Sequence, residues 1–399
     1  MKLFRQPWFI ALGFFLLVKP GIVTGIPALY IIDVAIDALR LVLIGFTILC
    51  LLFEKYRFNR LFQVVLLLVI FEIWKVVTTL ISPQGTFSVG LILNTFGMLL
   101  FCFCALKESS AAFIKGGSAL FGTYIIINSL TVILFPNGIY ASTSYTENYF
   151  LSYRTAWFPI YLTGIVFVLL AYEYFPKLRN RVWLMVVAGS LFLSLLLVWT
   201  VTGLVCFAVG GVVLALSYTR SYRKPINIKW VILAEVTIFL LVVLLDAQEW
   251  FSYILVEIFN KDVTLTQRTR IWINAIEAIR SRPLLGHGFL TDEYLKSILN
   301  YGATHAHNYY LNNTLHFGAI GTLFNLFIIH WAHKDLSRTK RSVHIRAITI
   351  AGMAAMLTSF QVEAWMVIGY YLIPLYLLGA QVGMDTVRLD QEYLLKGES

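Results

Sequence analysis

The chain has 399 residues, of which 59% are hydrophobic and only 13% charged, with a formal net charge of +10. Soluble globular domains run near 45–50% apolar and about 25% charged, and with mean hydropathy at +0.78 this composition excludes an ordinary soluble protein. The basic excess does not imply nucleic acid, because it is concentrated in short loops between apolar runs.

Apolar runs near 20 residues span a bilayer core, and spanning segments are helices or closed barrels. Here the runs are continuously apolar rather than alternating, which selects helices and an all-α polytopic membrane fold. In chain order, twelve spans are expected near 8–30, 36–53, 61–81, 88–106, 112–135, 157–173, 182–198, 200–218, 229–246, 308–330, 346–365 and 366–384. Lys19-Pro20-Gly21 interrupts the first. No small-residue cleavage site follows that run, so it reads as a retained span.

Loops in one alternating set carry most of the Lys and Arg, among them Lys55, Arg57, Lys177, Arg179, Arg181, Arg220, Arg223, Lys224, Arg338, Lys340 and Arg341. By the positive-inside rule this set is cytoplasmic, and so are both termini. Cys50, Cys102, Cys104 and Cys206 all fall within expected spans, so no external disulfide framework is implied.

Two external segments exceed turn length. The first, 136–156, is rich in Ser, Thr and Tyr and carries one basic residue, Arg154. The second is 247–307. Within it 250–259 is apolar but too short to span, which suits the interface. Thr266 then caps a helix to about Arg280, with Ile271, Trp272, Ala275, Ile276 and Ile279 at helical spacing, and Pro283 and Gly286 end it. Charged and amide residues within the spans gather toward the outer side: Asp33, Asp37, Arg40, Glu72, Lys75, Asn94 and Asn128. Asp37/Arg40 and Glu72/Lys75 are spaced i,i+3 and can pair on one helix face. Intramembrane ionisable groups usually face a bundle interior or a wet cavity, so their shared sidedness points to an outer polar cavity.

The polar stretch from Arg268 to Gly321 carries the chemistry. It contains Arg268-Thr-Arg270-Ile-Trp272, then Pro283-Leu-Leu-Gly-His-Gly288, then His305-Ala-His307-Asn308, with Gly318 and Gly321 beyond. A hydroxyl is a poor nucleophile, and a neutral imidazole can accept its proton. Fixed arginines can stabilise an anionic leaving group through charge-assisted, often bidentate, hydrogen bonds. His307 is therefore the candidate base. Arg268 is the first candidate for that anion, followed by Arg270 and Arg154. His305, Asn308 and Glu363 are supporting candidates, with Gln361 beside Glu363 as a weaker one. Asn308 can orient His307 or cap the following helix; sequence does not separate the two. Gly318 and Gly321 suit close helix packing. A His305/His307 zinc site would need one or two further ligands; acidic pairs show no DxD arrangement, so no metal and no cofactor are expected.

These motifs, in this order, resemble the His-Asn/Ser…Gly-x-x-Gly, arginine and Pro-Leu-Leu-Gly-x-Gly elements of the bacterial O-antigen ligase and O-antigen polymerase (Wzy-type) superfamily. Gly203 fits the start of that shared region, and the resemblance covers roughly 180–330. It implies three parts: an N-terminal transmembrane bundle over 1–180, a ligase/polymerase-like region over 181–330 with catalytic loop 247–307, and C-terminal helices with a cytoplasmic tail over 331–399. One departure is Trp199-Thr200-Val201-Thr202, where the family often has Ser-Arg; Arg154 is the substitute basic residue.

The resemblance implies a metal-independent, inverting, GT-C-type glycosyltransferase of the bacterial inner membrane, with its active site external. The donor would be a glycan on undecaprenyl pyrophosphate and the acceptor another glycan. The product would be a surface polysaccharide: capsule, exopolysaccharide or O-antigen. Membrane lipids, a chain-length regulator and a flippase are the implied partners. Two alternatives stand beside polymerisation: a ligase moving a finished glycan to lipid-A core or protein, and a lipid-linked oligosaccharide transporter or flippase. No half-to-half repeat of the kind transporters show is visible, and the polar signal is external rather than at the midplane.

Overall fold

The computed structural model describes residues 2–53, 58–142, 146–219, 227–244, 267–334, 336, 342–365 and 369–384. The apolar 250–259 segment, the Thr266 cap, the basic 220–224 cluster and the tail beyond 384 lie outside them.

Among the described residues the chain is helical throughout, with isolated antiparallel bridges at Tyr140–Asn148 and Asn148–Tyr153 in the 136–156 loop. The helices are α1 (Pro7–Leu17), α2 (Gly21–Gly25), α3 (Tyr30–Leu52), α4 (Arg60–Leu80), α5 (Val89–Glu108), α6 (Ser110–Leu134), α7 (Phe158–Tyr174) and α8 (Leu178–Leu197). They continue as α9 (Val201–Thr219), α10 (Ile228–Phe239), α11 (Arg268–Ser281), α12 (Asp292–Leu299), α13 (Tyr309–His333), α14 (Val343–Val362) and α15 (Ile373–Gly383).

Helix occupies all twelve expected positions, and nine helical segments among the described residues are long and apolar enough to cross a membrane. The protein is a multi-pass membrane protein. Two of the expected spans come out shorter, while α7 keeps the 17 residues expected for 157–173. α10 has 12 and passes into a five-residue π-helical turn. The 366–384 run has a 3₁₀ turn at Gly369–Leu372 before the 11-residue α15, whose Pro374 sits in its first turn, where its missing N–H breaks no helical bond. The first run is broken as its Lys19-Pro20 implies, into α1 and α2.

Helix starts follow the side chains available. Asn59, Ser88 and Ser109 accept backbone N–H groups at the starts of α4, α5 and α6, satisfying donors that a helix terminus leaves orphaned. One continuous core runs through the bundle, from Phe4, Phe14 and Phe101 near α1 to Phe360 and Leu377 in α14 and α15.

The expected i,i+3 ion pairs form. Arg40 Nη2 lies 3.1 Å from Asp37, and Lys75 Nζ 2.6 Å from Glu72. Lys19, at the break between α1 and α2, joins Asp33 and Asp37. Arg40 also donates to the Leu16 carbonyl at 2.8 Å and to Asn94 at 2.9 Å. The break in the first run is thus stitched to α3 and α5 by charge, in a layer where unpaired charge would be costly.

Candidate active site

The site is built on a second, smaller core at one end of the bundle. Ile271, Trp272 and Ala275 of α11 pack with Leu295 and Leu299 of α12 and Leu311 and Leu315 of α13, enclosing Ala303 and Ala306. The 3.6-residue period of α11 creates that face. Two polar contacts then fix the 303–308 segment from either side. Trp272 Nε1 donates to the Ala306 carbonyl at 2.9 Å, and the Ala306 N–H donates to Asn312 Oδ1 at 3.0 Å.

His307 follows with φ +48°. A left-handed conformation is costly for a residue with a β-carbon, and such strain gathers at functional sites where the surroundings enforce it. Asn308 does both things the sequence left open. Its Oδ1 accepts from the Leu311 N–H at 3.0 Å and caps α13, while its Nδ2 donates to the Gln361 carbonyl at 3.0 Å. The start of α13 is thereby tied to the end of α14.

That tie brings Glu363, the residue just past α14, to the histidines. His307 Nδ1 lies 3.9 Å from one carboxylate oxygen of Glu363, and Arg268 Nη2 lies 3.4 Å from the other. Arg268 Nη1 donates to the Val362 carbonyl at 2.5 Å. The His307 N–H donates to His305 Nδ1 at 3.2 Å, so neutral His305 carries its proton on Nε2, and the two rings stand 4.0 Å apart. Four expected site residues, His305, His307, Arg268 and Glu363, form one cluster, with Asn308 holding it together.

Burial dominates the electrostatics. It lowers His307 from its ordinary value to about 2, assisted by His305 and Arg268. It lowers His305 to about 4, assisted by Arg268 and partly offset by Asp292. The Glu363 carboxyl is raised by burial against the opposing pull of Arg268. Both imidazoles are neutral near pH 7, and Arg268 is the fixed positive charge of the group.

The Pro-Leu-Leu-Gly-His-Gly segment and Gly318 form one backbone unit behind this cluster. α13 breaks at Gly318, which adopts φ +68°, ψ −178°, a region essentially restricted to glycine. The break would orphan the Leu315 and His316 carbonyls and the Ala319 and Ile320 N–H groups. The loop replaces all four partners. His287 N–H donates to the Leu315 carbonyl at 3.0 Å and Gly288 N–H to the His316 carbonyl at 2.6 Å. Ala319 N–H donates to the Pro283 carbonyl at 2.8 Å and Ile320 N–H to the Leu284 carbonyl at 3.4 Å. A β-carbon on Gly318 would collide with the Leu284 carbonyl, and one on Gly288 with the backbone of Thr79. The two motifs that the sequence presents separately are therefore halves of one joint. His287 and His316 act within it: His316 Nδ1 donates to the Gly288 carbonyl at 2.8 Å, and His287 Nε2 lies 3.1 Å from the Ala278 carbonyl.

Arg268 and Glu363 also line a cavity of about 740 Å³. Its walls are mostly apolar, including Val198, Trp199, Val205, Trp230 and Ile238 from the α8–α9 turn, α9 and α10. Ligand cavities of some hundreds of Å³ with mostly apolar walls and a few placed polar groups are the usual form of a binding site. Arg154 lines it as well, from the 136–156 loop, and pairs with Glu147 at 3.0 Å. Arg270 does not reach it; that side chain is exposed, with its guanidinium 5.8 Å from the centre of the Tyr301 ring.

Sequence reasoning passed over Glu235 of α10. This buried carboxylate lines the same cavity, accepts from the Thr358 hydroxyl at 2.6 Å and accepts from Gln361 Nε2 at 3.1 Å. An acidic residue inside an apolar run was the available signal.

His305, His307 and Glu363 present one ligand atom each within 4.8 Å of one another, a set able to approach a divalent cation. Glu363 is the third ligand that the His-x-His pair lacked in sequence. Arg268 places its charge on the same carboxylate, which works against a second cation there.

The family described as O-antigen ligase matches residues 189–326, about a third of the chain. Over that region the chain is similar to the O-antigen ligase/polymerase superfamily, a likeness that supports a membrane glycan-processing enzyme. The match includes Arg268, His305, His307, Asn308 and the whole Gly318 joint; Glu363 and Arg154 lie outside it. No curated protein matches the chain.

Proposed function

We propose that the protein is a metal-independent, inverting glycosyltransferase that polymerises undecaprenyl-pyrophosphate-linked repeat units into surface polysaccharide. The observation that carries this reading is the His307–Glu363–Arg268 cluster, of which Arg268 and Glu363 line a large, mostly apolar cavity. The polyprenyl chain takes the apolar walls, and its pyrophosphate meets Arg268, with Arg154 a second cation on the same lining. The acceptor hydroxyl attacks the anomeric carbon on the face opposite the pyrophosphate. The carbon–oxygen bond to pyrophosphate breaks and its electron pair leaves with the phosphate, toward Arg268. The hydroxyl proton passes to His307.

Glu363 supports that transfer. Placed 3.9 Å from Nδ1, it favours the tautomer with the proton on Nδ1 and leaves Nε2 to act as base. It also stabilises the imidazolium that forms. Burial and Arg268 hold His307 far below its ordinary value in the free protein. Pyrophosphate arriving at Arg268 offsets that positive charge and raises the basicity of His307 when substrate is present. The orientation that fits puts this end of the bundle outside the inner membrane, with both termini in the cytoplasm.

The test is a size profile of lipid-linked and surface glycans in a deletion strain complemented with wild type or His307→Ala. Single repeats replacing long chains in the variant are the expected result. Full-length chains stranded on the carrier lipid would replace this reading with the ligase reaction. Failure to translocate the repeat, with chain length intact, would replace it with transport.

A further inference from the structure

A second cavity, of about 70 Å³, lies on the other side of the end of α14. The two sides connect residue by residue. Glu363 lines the donor-side cavity and a small intermediate cleft; Trp365 lines that cleft and the second cavity. Tyr309, two residues beyond His307, forms part of its wall and stacks on Phe360 at 4.1 Å. The cavity is thus walled by chain neighbours of His307 and Glu363, namely Tyr309, Ala364 and Trp365, while His307 and Glu363 themselves stand outside its lining.

The lining combines aromatic faces with neutral polar groups. Asn325 donates from Nδ2 to the Tyr309 hydroxyl at 2.8 Å, which leaves that hydroxyl's proton to be donated elsewhere. Asn325 itself is only 5% exposed, and its Oδ1 has no hydrogen-bond partner. A buried amide oxygen without a partner is costly unless something supplies a donor. Asn313, equally buried, lines the same space. The charged groups cancel: Lys75 is held by Glu72 at 2.6 Å and sits 4.5 Å from the centre of the Phe71 ring. A cavity without net charge, with paired donors and acceptors between aromatic walls, suits an uncharged polyhydroxyl ring better than a cation or phosphate.

We propose that this cavity is a saccharide subsite that receives a neutral sugar ring of the acceptor glycan, read by Asn325, Tyr309 and Asn313. The inference rests on the transferase reading above for the ring's role as acceptor. Asn325 supplies the oxygen to a ring hydroxyl, and Tyr309 donates to a ring oxygen. The donor lipid and the acceptor sugar thus approach His307 and Glu363 from opposite sides of one helix end.

The test uses full-length protein in lipid nanodiscs and two variants. Asn325→Leu keeps the side chain's shape and removes the amide. Leu91→Phe narrows the cavity from α5 without touching its polar groups. The expected result is an acceptor KM raised tenfold or more in both, with the donor KM unchanged. Wild-type acceptor KM in variants of wild-type thermal midpoint would overturn the proposal. If Asn325→Leu does not fold, Leu91→Phe alone decides by the same criterion. Ligand-observed NMR with the repeat-unit saccharide, released from its carrier by mild acid, separates this proposal from the transferase reading. Saturation transfer to the sugar in wild type, lost in either variant, supports the subsite even if no polymer forms. No transfer in wild type overturns it even if polymer does form.

Discussion

Replacing Glu363 by Gln keeps the shape of the side chain and removes one charge between two partners. On the proposed mechanism His307 becomes an imidazolium in the transition state, 3.9 Å from that charge. At an effective dielectric constant near 20, two unit charges at this separation interact by roughly 4 kcal/mol. The Gln amide oxygen recovers part of this as a dipole, so we take about 2–3 kcal/mol as the net loss. At 1.36 kcal/mol per tenfold, that is a fall in kcat of about 30- to 150-fold, at and below the lower end of the 10²–10⁴ range that general-base catalysis supplies. Arg268, meanwhile, loses the carboxylate 3.4 Å from its Nη2 and is freer to take pyrophosphate. Donor KM should therefore stay level or fall while kcat drops. The assay is chain extension from purified lipid-linked repeat units in nanodiscs, with product length read on gels and initial rates taken against donor concentration. A variant within about threefold of the wild-type kcat would refute the coupling of Glu363 to His307. A raised donor KM with unchanged kcat would reassign Glu363 to substrate binding.

Arg268→Lys should lose activity despite keeping the charge, since one ammonium cannot hold the Val362 carbonyl and still present a fork to phosphate; complementation that restores full-length polymer would contradict this. Gly318→Ala should destabilise the protein by about 2–4 kcal/mol, from a backbone region alanine avoids and strained loop bonds, seen as a lower thermal midpoint and poor yield; a wild-type midpoint would refute the joint. His305 and His307 are held below their ordinary value, to about 4 and about 2. Between pH 6.5 and 4 the unfolded chain therefore binds protons there that the folded chain does not, and stability falls as pH is lowered through that window. The raised Glu363 acts with the opposite sign, so the diagnostic is a shallower acid loss of thermal midpoint in the His305→Gln, His307→Gln double variant than in wild type. Full chain extension after chelation by EDTA is expected of a metal-independent centre, and loss of activity restored by one divalent ion would instead install a cation on His305, His307 and Glu363.

The expected spans were legible because the bilayer imposes length and apolarity on any helix that crosses it. His307, Arg268 and Asn308 were legible because they sit in one polar stretch with chemistry-bearing spacing. Arg270 ranks next after Arg268 in sequence, yet residues two apart on a helix diverge, and the structure shows them doing so. Glu363 was visible only as a polar residue near a span end; its partnership with His307 depends on how the end of α14 meets the start of α13, which no local pattern encodes. Gly318 was taken for a packing glycine. Its broken helix depends on a loop some thirty residues upstream, and a sequence motif gives no sign that two segments exchange hydrogen bonds. Glu235 was overlooked because the apolar run around it suggested a plain span.

The joint between 283–288 and Gly318 also bears on how such enzymes can be recombined. Two backbone donors and two acceptors sit on each side, so neither segment has a satisfied conformation without the other. A chimaera whose crossover falls between Gly288 and Leu315 splices a loop from one parent to a broken helix from another, and any difference in offset leaves groups bare inside the bundle. Exchanged as one block from Arg268 through Gly321, the histidines, the arginine and their scaffold travel together; the partner that stays behind is Glu363, so compatibility of the block with its new host is decided at the end of α14.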